Sequence, residues 1–244
     1  MTPRSPLLVA RAVVMAPAIL AVTMTLASGP GSRAELWTWQ TGIAMMRWAT
    51  YIGLAAGVGA LILIVTLAVP SFRVRPWVPL VALGLAVAAV APPLMLLSKA
   101  KQVPRIHDIS TDLAEPPAFV ALLAARKASP NGADHGGAKI AEEQRNGYPD
   151  IKPLLVDTPP AATMQRAIDA ARSLGWEIAV ADVAAGRIEA THTTRFFGFK
   201  DDVVVRIRPE GAGSRVDVRS VSRVGLSDLG ANAARIREFL RKLA

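Results

Sequence analysis

Charged and hydrogen-bonding side chains are concentrated in three short stretches of the chain, at residues 107–112, 195–202 and 219–232. Carboxylates next to arginines either form ion pairs that fix loops or line a site for an anion or a metal ion. The sequence alone does not decide between these two roles. The residues that we take as candidate binding residues are His107, Asp108, Asp112, Arg195, Asp201, Asp202, Arg206, Arg219, Arg223, Asp228 and Asn232.

A metal site would require three or four of these side chains to converge on one point. His107, Asp108 and Asp112 could supply part of such a set. Asp201 or Asp202 could complete it, but neighbouring residues of a strand point to opposite faces, so only one of the two can join. We therefore predict an exposed polar turn without a metal ion. The alternative is a metal-dependent hydrolase-type enzyme that uses these five residues.

Other catalytic motifs are absent from the sequence. The chain has no cysteine, which excludes disulfides, thiolate metal sites and thiol catalysis. Ser220 and Ser222 do not lie in a Gly-x-Ser-x-Gly elbow, and there is no phosphate-binding glycine motif before a helix. His135 has only Asp134 as a near partner and is predicted to lie in a solvated loop, whereas His192 is predicted to lie at the edge of the core. We predict no catalytic residue and no cofactor.

Ion pairing is the other role that these side chains can have. Carboxylates placed close together without cations would repel each other, and arginine can bind a carboxylate through two parallel hydrogen bonds. We predict that residues 106–112 pack against the turn that holds Asp201 and Asp202, or against residues 223–232. Either Arg219→Ala or Asp202→Ala should then destabilise the domain by about 1–3 kcal/mol. The alternating acids and arginines are Asp108, Asp112, Asp201, Asp202, Asp228, Arg195, Arg219, Arg223 and Arg235.

The composition separates the 244-residue chain into two parts. Hydrophobic residues make up 52% and charged residues 19% of the chain, whereas soluble domains contain about 25% charged residues. Residues 1–97 hold six arginines, no lysine and one acid, Glu35, and residues 98–244 hold 22 basic and 18 acidic side chains. Much of the net charge of +9 therefore flanks apolar segments, and we do not expect nucleic-acid binding.

Three apolar segments, at about 7–27, 49–69 and 77–97, each approach the roughly 20 residues that cross a bilayer as a helix. We predict a three-helix membrane anchor over residues 1–97, with the lipid bilayer as its partner. A cleaved signal peptide is the alternative for the first segment. The loop 71–76 carries Arg73 and Arg75 and favours a cytoplasmic N-terminus, which would place residues 98–244 outside the cytoplasm.

The remaining residues, 98–244, have the pattern of one soluble α+β domain. Period-2 alternation predicts four antiparallel strands at 176–180, 187–193, 202–208 and 215–222. Helical spacing predicts a helix from about 159 to 174 and a last helix from about 229 to 243, with a short helix at 117–126. Residues 128–149 are rich in turn signals and are predicted to form a loop. The fold class is therefore α-β-β-β-β-α with a four-stranded antiparallel sheet.

Residues 104–243 resemble the DUF1499 family, a domain of unknown function. Some bacterial members of that family resemble this chain in having a three-helix anchor before the domain, which implies an extracytoplasmic domain. The resemblance implies no particular activity. The motifs that carry it are Ile106-His107-Asp108-Ile109-Ser110-Thr111-Asp112, Tyr148-Pro149-Asp150-Ile151, Gly175-Trp176, Ile188-Glu189-Ala190, Phe199-Lys200-Asp201-Asp202, Val216-Asp217-Val218-Arg219-Ser220 with Ser222-Arg223, and Asp228-Leu229-Gly230-Ala231-Asn232 with Arg235-Ile236.

Together these features predict a non-enzymatic binding or interaction module. It would be a multi-pass protein of a bacterial inner membrane with its C-terminal domain in the periplasm. Its partner would be anionic: a lipid headgroup, an envelope glycan or an acidic protein surface. The arginines expected to meet that partner are Arg195, Arg206, Arg219 and Arg223.

Overall fold

The computed structural model describes residues 6–66 and 77–244, with the side chains of residues 6–11 left out. Contacts within the chain divide it into two compact units. The helical unit is Met1–Ser98 with Phe196–Gly198, and the soluble unit is Lys99–Arg195 with Phe199–Ala244. The loop 71–76, on which the predicted orientation rests, lies outside the described residues.

The helical unit contains α1 (Pro6–Arg33), α2 (Trp39–Thr66) and α3 (Trp77–Ala100). In the described part of the chain, three helices are long and apolar enough to cross a membrane, which confirms the three predicted apolar helices. Their close packing uses small residues. Gly53 of α2 lies against Ala89 and Val90 of α3. The small residues of α2 therefore contact a neighbouring helix of the same chain.

The soluble unit is built on a six-stranded antiparallel sheet. Four strands form a meander in the order of the sequence, and two three-residue strands both pair with the last strand of that meander. The predicted antiparallel sheet is confirmed, but two of its strands are too short for an alternating pattern to reveal them. The strands are β1 (Asp108–Ser110), β2 (Leu154–Val156), β3 (Glu177–Asp182), β4 (Arg187–Thr193), β5 (Lys200–Glu210) and β6 (Gly213–Ser222).

Four helices complete this unit: α4 (Leu123–Lys127), α5 (Gly137–Gly147), α6 (Pro160–Ser173) and α7 (Ala231–Leu243). The prediction of a continuous loop over 128–149 is wrong, because α5 lies within it. Glycine and asparagine are found at the two ends of α5, but the apolar residues inside this helix form only a weak pattern. The sequence therefore did not indicate a helix here. The buried residues of α5 are Ala141 and Gln144.

One face of the sheet forms the main core with α6 and α7. Val203 and Val205 of β5 and Val218 of β6 point to this face, where Met164 of α6 and Phe239 of α7 are also buried. The helix α6 begins at a proline, which is favoured in the first turn. After it Gly175 adopts a left-handed conformation with φ +71°, as expected for a residue that ends a helix. The helices α6 and α7 therefore form where the sequence predicts helices.

The opposite face of the sheet is covered by residues 112–135, which we call the covering segment. Phe119 of this segment packs on Val204 and Val221. Several other side chains buried on this face are charged, among them Glu189 and Asp202. Because burial of a charge is costly unless it is paired, the contacts of this face determine what its charged residues can do.

Candidate functional site

The covering segment is held by a carboxylate at the centre of the sheet. Glu189 is fully buried and accepts hydrogen bonds from the backbone N–H groups of Val120, Ala121 and Leu122, at 2.9, 3.1 and 2.8 Å. The guanidinium of Arg187 lies 3.3 Å from the same carboxylate. Glu189 therefore fixes the turn before α4 and has little capacity left for a ligand.

Asp108 and Arg219 form a buried bidentate pair on the same face. Two nitrogens of Arg219 donate to the two carboxylate oxygens of Asp108, at 2.9 and 2.7 Å. Arg219 also donates to the carbonyls of Pro117 and Ala133 in the covering segment, and its guanidinium lies 5.4 Å from the ring centroid of Phe119. Both members were predicted as binding residues, and the structure ties them to each other and to the covering segment.

Asp202 lies on the same face as the Asp108–Arg219 pair and has three partners of its own. Arg223 donates to both of its oxygens at 2.9 and 2.8 Å, Thr191 donates at 2.8 Å, and the fully buried Arg126 lies at 3.4 Å. Arg126 also donates to the carbonyls of Val221 and Gly132. Burial lowers the pKa of Arg126, whereas the hydrogen bond from Arg223 to Asp202 raises the pKa of Arg223. Asp202 therefore joins the covering segment to the end of β6.

A second cluster lies where the covering segment begins. Asp112 accepts hydrogen bonds from Arg206 at 3.0 Å and Arg215 at 3.1 Å, and Asp217 accepts from Arg206 and Arg208 at 3.0 and 3.1 Å. Burial acts to raise the pKa of Asp112, but backbone N–H groups and these arginines outweigh it, so the pKa lies below its ordinary value. Arg206, predicted to face an anionic partner, is thus engaged by carboxylates of its own domain.

The helix-covered face carries a separate polar network. Arg235 of α7 donates to Asp201 at 2.6 Å and to Ser220 at 2.9 Å. Asn232 donates to the carbonyl of His107 at 3.0 Å. Asp228 accepts from backbone N–H groups at the start of α7, and burial raises the pKa of this carboxyl. These residues fasten α7 to the sheet.

The five residues of the hydrolase alternative do not converge. Asp108 and Asp202 lie on the covered face of the sheet, whereas Asp201 bonds to α7 on the other face. Within residues 6–66 and 77–244, no group of three or more metal-ligating side chains could hold an ion. The geometry that the alternative requires is therefore not found among these residues.

Residues 106–112 pack against residues 223–232, the second of the two predicted alternatives. Asp108–Ser110 pairs with β6, and the backbone N–H of Ser222 donates to the carbonyl of His107 at 3.0 Å. The N–H of Asp228 also donates to the carbonyl of Ile106 at 3.2 Å. Arg195, two residues after the end of β4, is exposed.

A cavity that the sequence did not reveal opens at the edge of the sheet. The strands β1 and β2 both pair with β6 but leave a gap between them, and a cavity of about 470 Å³ lies beside the residues that follow β1 and precede β2. Arg145 and Lys152 are exposed at this cavity, and Arg215 is half-buried. The carboxylate of Asp112 also lines it, but its charge is compensated by arginines. The lining residues are Thr111, Asp112, Leu113, Ala114, Gln144, Arg145, Tyr148, Pro149, Ile151, Lys152, Pro153 and Arg215.

No sequence signal points to Arg145 and Lys152 as partners. In the sequence they flank Tyr148-Pro149, in a stretch predicted to be mostly loop. They line the same cavity as Arg215 only because α5 and β2 fold against this edge of the sheet. Tyr148 is buried and its hydroxyl has no hydrogen-bond partner among the described residues. Burial, with the nearby Asp228, raises the pKa of Tyr148 to about 12.

Three helices that are long and apolar enough to cross a membrane, followed by an α+β domain, are the features of a multi-pass membrane protein. Residues 108–243 match the family model described as "Protein of unknown function (DUF1499)", and the chain belongs to this family. No curated protein shows significant similarity to the chain.

Proposed function

We propose that this protein is a membrane-anchored, non-enzymatic binding module whose soluble domain takes an anionic group into the cavity between β1 and β2. At this cavity the exposed Arg145 and Lys152 lie beside Asp112, a single carboxylate whose charge Arg206 and Arg215 already compensate. This excess of positive charge is the observation that carries the proposal. The volume of about 470 Å³ lies in the range of about 300–1,000 Å³ that is usual for small-molecule sites.

This proposal replaces the arginines that the sequence suggested as contacts for an anionic partner with a different set of residues. Arg206, Arg219 and Arg223 are bonded to carboxylates of the same domain and would have to break those pairs to meet a ligand. Arg145 and Lys152 are exposed on the cavity rim, so an anion can approach them without such a loss. Arginine suits bidentate recognition of phosphate or carboxylate, and lysine adds a point charge.

The ligand chemistry we propose is a phosphate monoanion or dianion, either on a lipid headgroup or free in solution. The full chain, purified in an uncharged detergent, should be titrated by calorimetry with inorganic phosphate and with short-chain phosphatidylglycerol. Saturable binding of both, tighter for the lipid, assigns a headgroup site. Binding of inorganic phosphate alone assigns a soluble anion, and binding of neither contradicts the proposal.

Charge reversal locates the site. Arg145→Glu or Lys152→Glu should weaken binding about tenfold, which corresponds to about 1.4 kcal/mol. Lys139→Glu is the matched control, because Lys139 is an exposed cation of α5 that does not line the cavity. Equal weakening by all three reversals would mean that only the overall charge matters.

We further propose that the domain lies at the outer face of a bacterial inner membrane, and the arginine pair at 73 and 75 supports this orientation. A C-terminal alkaline phosphatase fusion should be active and a C-terminal green fluorescent protein fusion dark. The reverse result would place the domain in the cytoplasm without bearing on the anion site.

A further inference from the structure

A second cavity, of about 290 Å³, lies at a different place in the soluble domain, where α7 crosses the start of β3 and the end of β4. It shares no lining residue with the first cavity. Its apolar wall is Leu174 and Trp176 with two alanines of α7, one of which is Ala234. Its polar lining is His192, Thr194, Arg235 and Glu238.

The hydrogen bonds of His192 fix its tautomer. The Nδ1 atom lies 3.0 Å from a terminal nitrogen of Arg235, and a guanidinium has donors only. Nδ1 is therefore the acceptor, so the ring proton of the neutral imidazole is on Nε2. Arg235 is itself held by Asp201 and Ser220, so the guanidinium cannot turn away.

The surroundings also keep this imidazole uncharged. Burial lowers the pKa of His192, and Arg235 and Arg195 lower it further, while Asp201 opposes them. At neutral pH His192 is therefore a hydrogen-bond donor and not a base. A neutral imidazole with a lowered pKa is a known way to bind an oxygen acceptor.

The remaining polar groups complement this donor. Glu238 is exposed and its carboxylate only accepts hydrogen bonds. The hydroxyl of Thr194 accepts from the backbone N–H of Phe199 at 2.8 Å and keeps its own proton for donation. The positive charge of Arg235 is offset by Asp201, which leaves the cavity without the excess of cations found in the first one.

We infer that this second cavity binds a small uncharged compound with several hydroxyl groups, such as a single sugar ring. A hydroxyl can accept from His192 and donate to Glu238, and the C–H face of the ring can pack against Leu174 and Ala234. The volume is that of about ten water molecules at ~30 Å³ each, which suits one ring and no more. The inference is independent of the proposed anion site.

The test uses the full chain in nanodiscs, because alkyl glycoside detergents would compete with the ligand. Binding of D-glucose and of myo-inositol is measured by saturation-transfer NMR up to about 10 mM, where a millimolar site is largely occupied. Saturable binding of at least one probe is expected, and Lys139→Glu, at an exposed residue that lines neither cavity, should leave it unchanged. Absence of saturable binding for both probes would overturn the inference.

Two variants locate the binding. Ala234→Trp places a bulky side chain on the exposed surface of α7 that lines the cavity and should abolish binding, whereas Ala162→Trp on the exposed surface of α6 should not. Glu238→Gln keeps the shape and removes the charged acceptor, and it should weaken binding about fivefold. If Ala234→Trp binds the probes as tightly as the wild type, the cavity is not the site.

Discussion

Among single residues, arginine determines what the candidate carboxylates can do. Asp108, Asp112, Asp201 and Asp202 each accept hydrogen bonds from an arginine side chain. A buried carboxylate stays ionised at acceptable cost only with such a partner, and the planar guanidinium also reaches backbone carbonyls, as Arg219 does at Pro117 and Ala133. These pairs fix the domain, which leaves exposed cations such as Lys152 to meet a ligand.

The Asp108–Arg219 pair offers a direct test of this structural role. Arg219→Ala should destabilise the domain by about 3–5 kcal/mol, because it leaves a buried carboxylate without its cation. This exceeds the value predicted from the sequence, since the structure buries both members of the pair. Hydrogen exchange of the β6 amides in the full chain measures the loss. The double variant Asp108→Ala/Arg219→Ala should lose less than the sum of the two single variants. Additive losses would show that the pair does not act as a unit.

The lowered pKa of Asp112 predicts an acid-sensitive stability. The unfolded chain binds this proton near pH 3.9, whereas the folded domain binds it only at lower pH. Stability from Asp112 is therefore present above the unfolded pKa and is lost as pH falls through the folded pKa. Thermal unfolding between pH 5 and pH 2 should show a flatter acid limb in Asp112→Asn than in the wild type. Asp157→Asn, at an exposed residue, controls for the loss of one charge, and identical acid limbs for Asp112→Asn and wild type would contradict the prediction.

The sequence predicted that acids and arginines would pair, but not which ones. The partner of Asp108 is 111 residues away along the chain, and the choice between Arg219 and Arg223 depends on strand register. Arg206, whose side chain alternates with apolar neighbours on β5, was expected to face a ligand. Asp112 approaches it because the covering segment lies on this face, whereas Asp217 approaches it because the two residues are paired across β5 and β6.

Among the secondary-structure elements, the covering segment depends most on a few contacts. Its turn before α4 is held by one carboxylate, Glu189, through three backbone N–H groups. Hydrogen bonds to a charged acceptor contribute about 1.5–3 kcal/mol each. The segment has little apolar surface of its own, since Phe119 is its one buried large hydrophobic residue among those described.

Removing that carboxylate should loosen the covering segment while the meander stays folded. In Glu189→Ala the amides of Val120, Ala121 and Leu122 should exchange with solvent at least about tenfold faster, because their opening becomes local. Hydrogen-exchange mass spectrometry measures this, with Glu177→Ala on the exposed edge of β3 as the matched control. Unchanged protection at these three amides would mean that other contacts hold the turn.

Elements with a long periodic pattern were predictable, and short ones were not. The strand Arg187–Thr193 has the same first and last residue as the second of the four predicted strands. Alternation over seven residues is a strong signal for a strand. β1 and β2 have three residues each and exist through pairing with β6. The cation cavity between them was therefore invisible in the sequence, as was α5, which supplies Arg145.

At the scale of the whole molecule, the main core lies within one unit. Every residue of that apolar cluster falls between Ile106 and Leu243, and a length of about 145 residues is typical of an independent domain. We therefore expect residues 99–244 to fold without the membrane helices. Circular dichroism of the isolated fragment should show a single cooperative thermal transition, and a gradual loss of signal would mean that the helical unit is required.

The helices and the domain then have separable roles. The three apolar helices are long and apolar enough to cross a bilayer, and in our proposal the cavity between β1 and β2 binds an anion. Anchoring makes weak binding effective, because a tethered site meets its ligand at a high local concentration when that ligand is itself held at the membrane. Salt should weaken the interaction, since two of the three cations are exposed.

The binding function is tested most directly by the position of a bound oxyanion. A crystal structure of the full chain grown with selenate, a tetrahedral stand-in for phosphate with an anomalous signal, locates the ion without assumption about affinity. We predict a selenate in the cavity between β1 and β2, in contact with Arg145 and Lys152, and its loss in Lys152→Glu. Selenate bound only at other surfaces, with this cavity empty in the wild type, would contradict the anion-binding role of the domain.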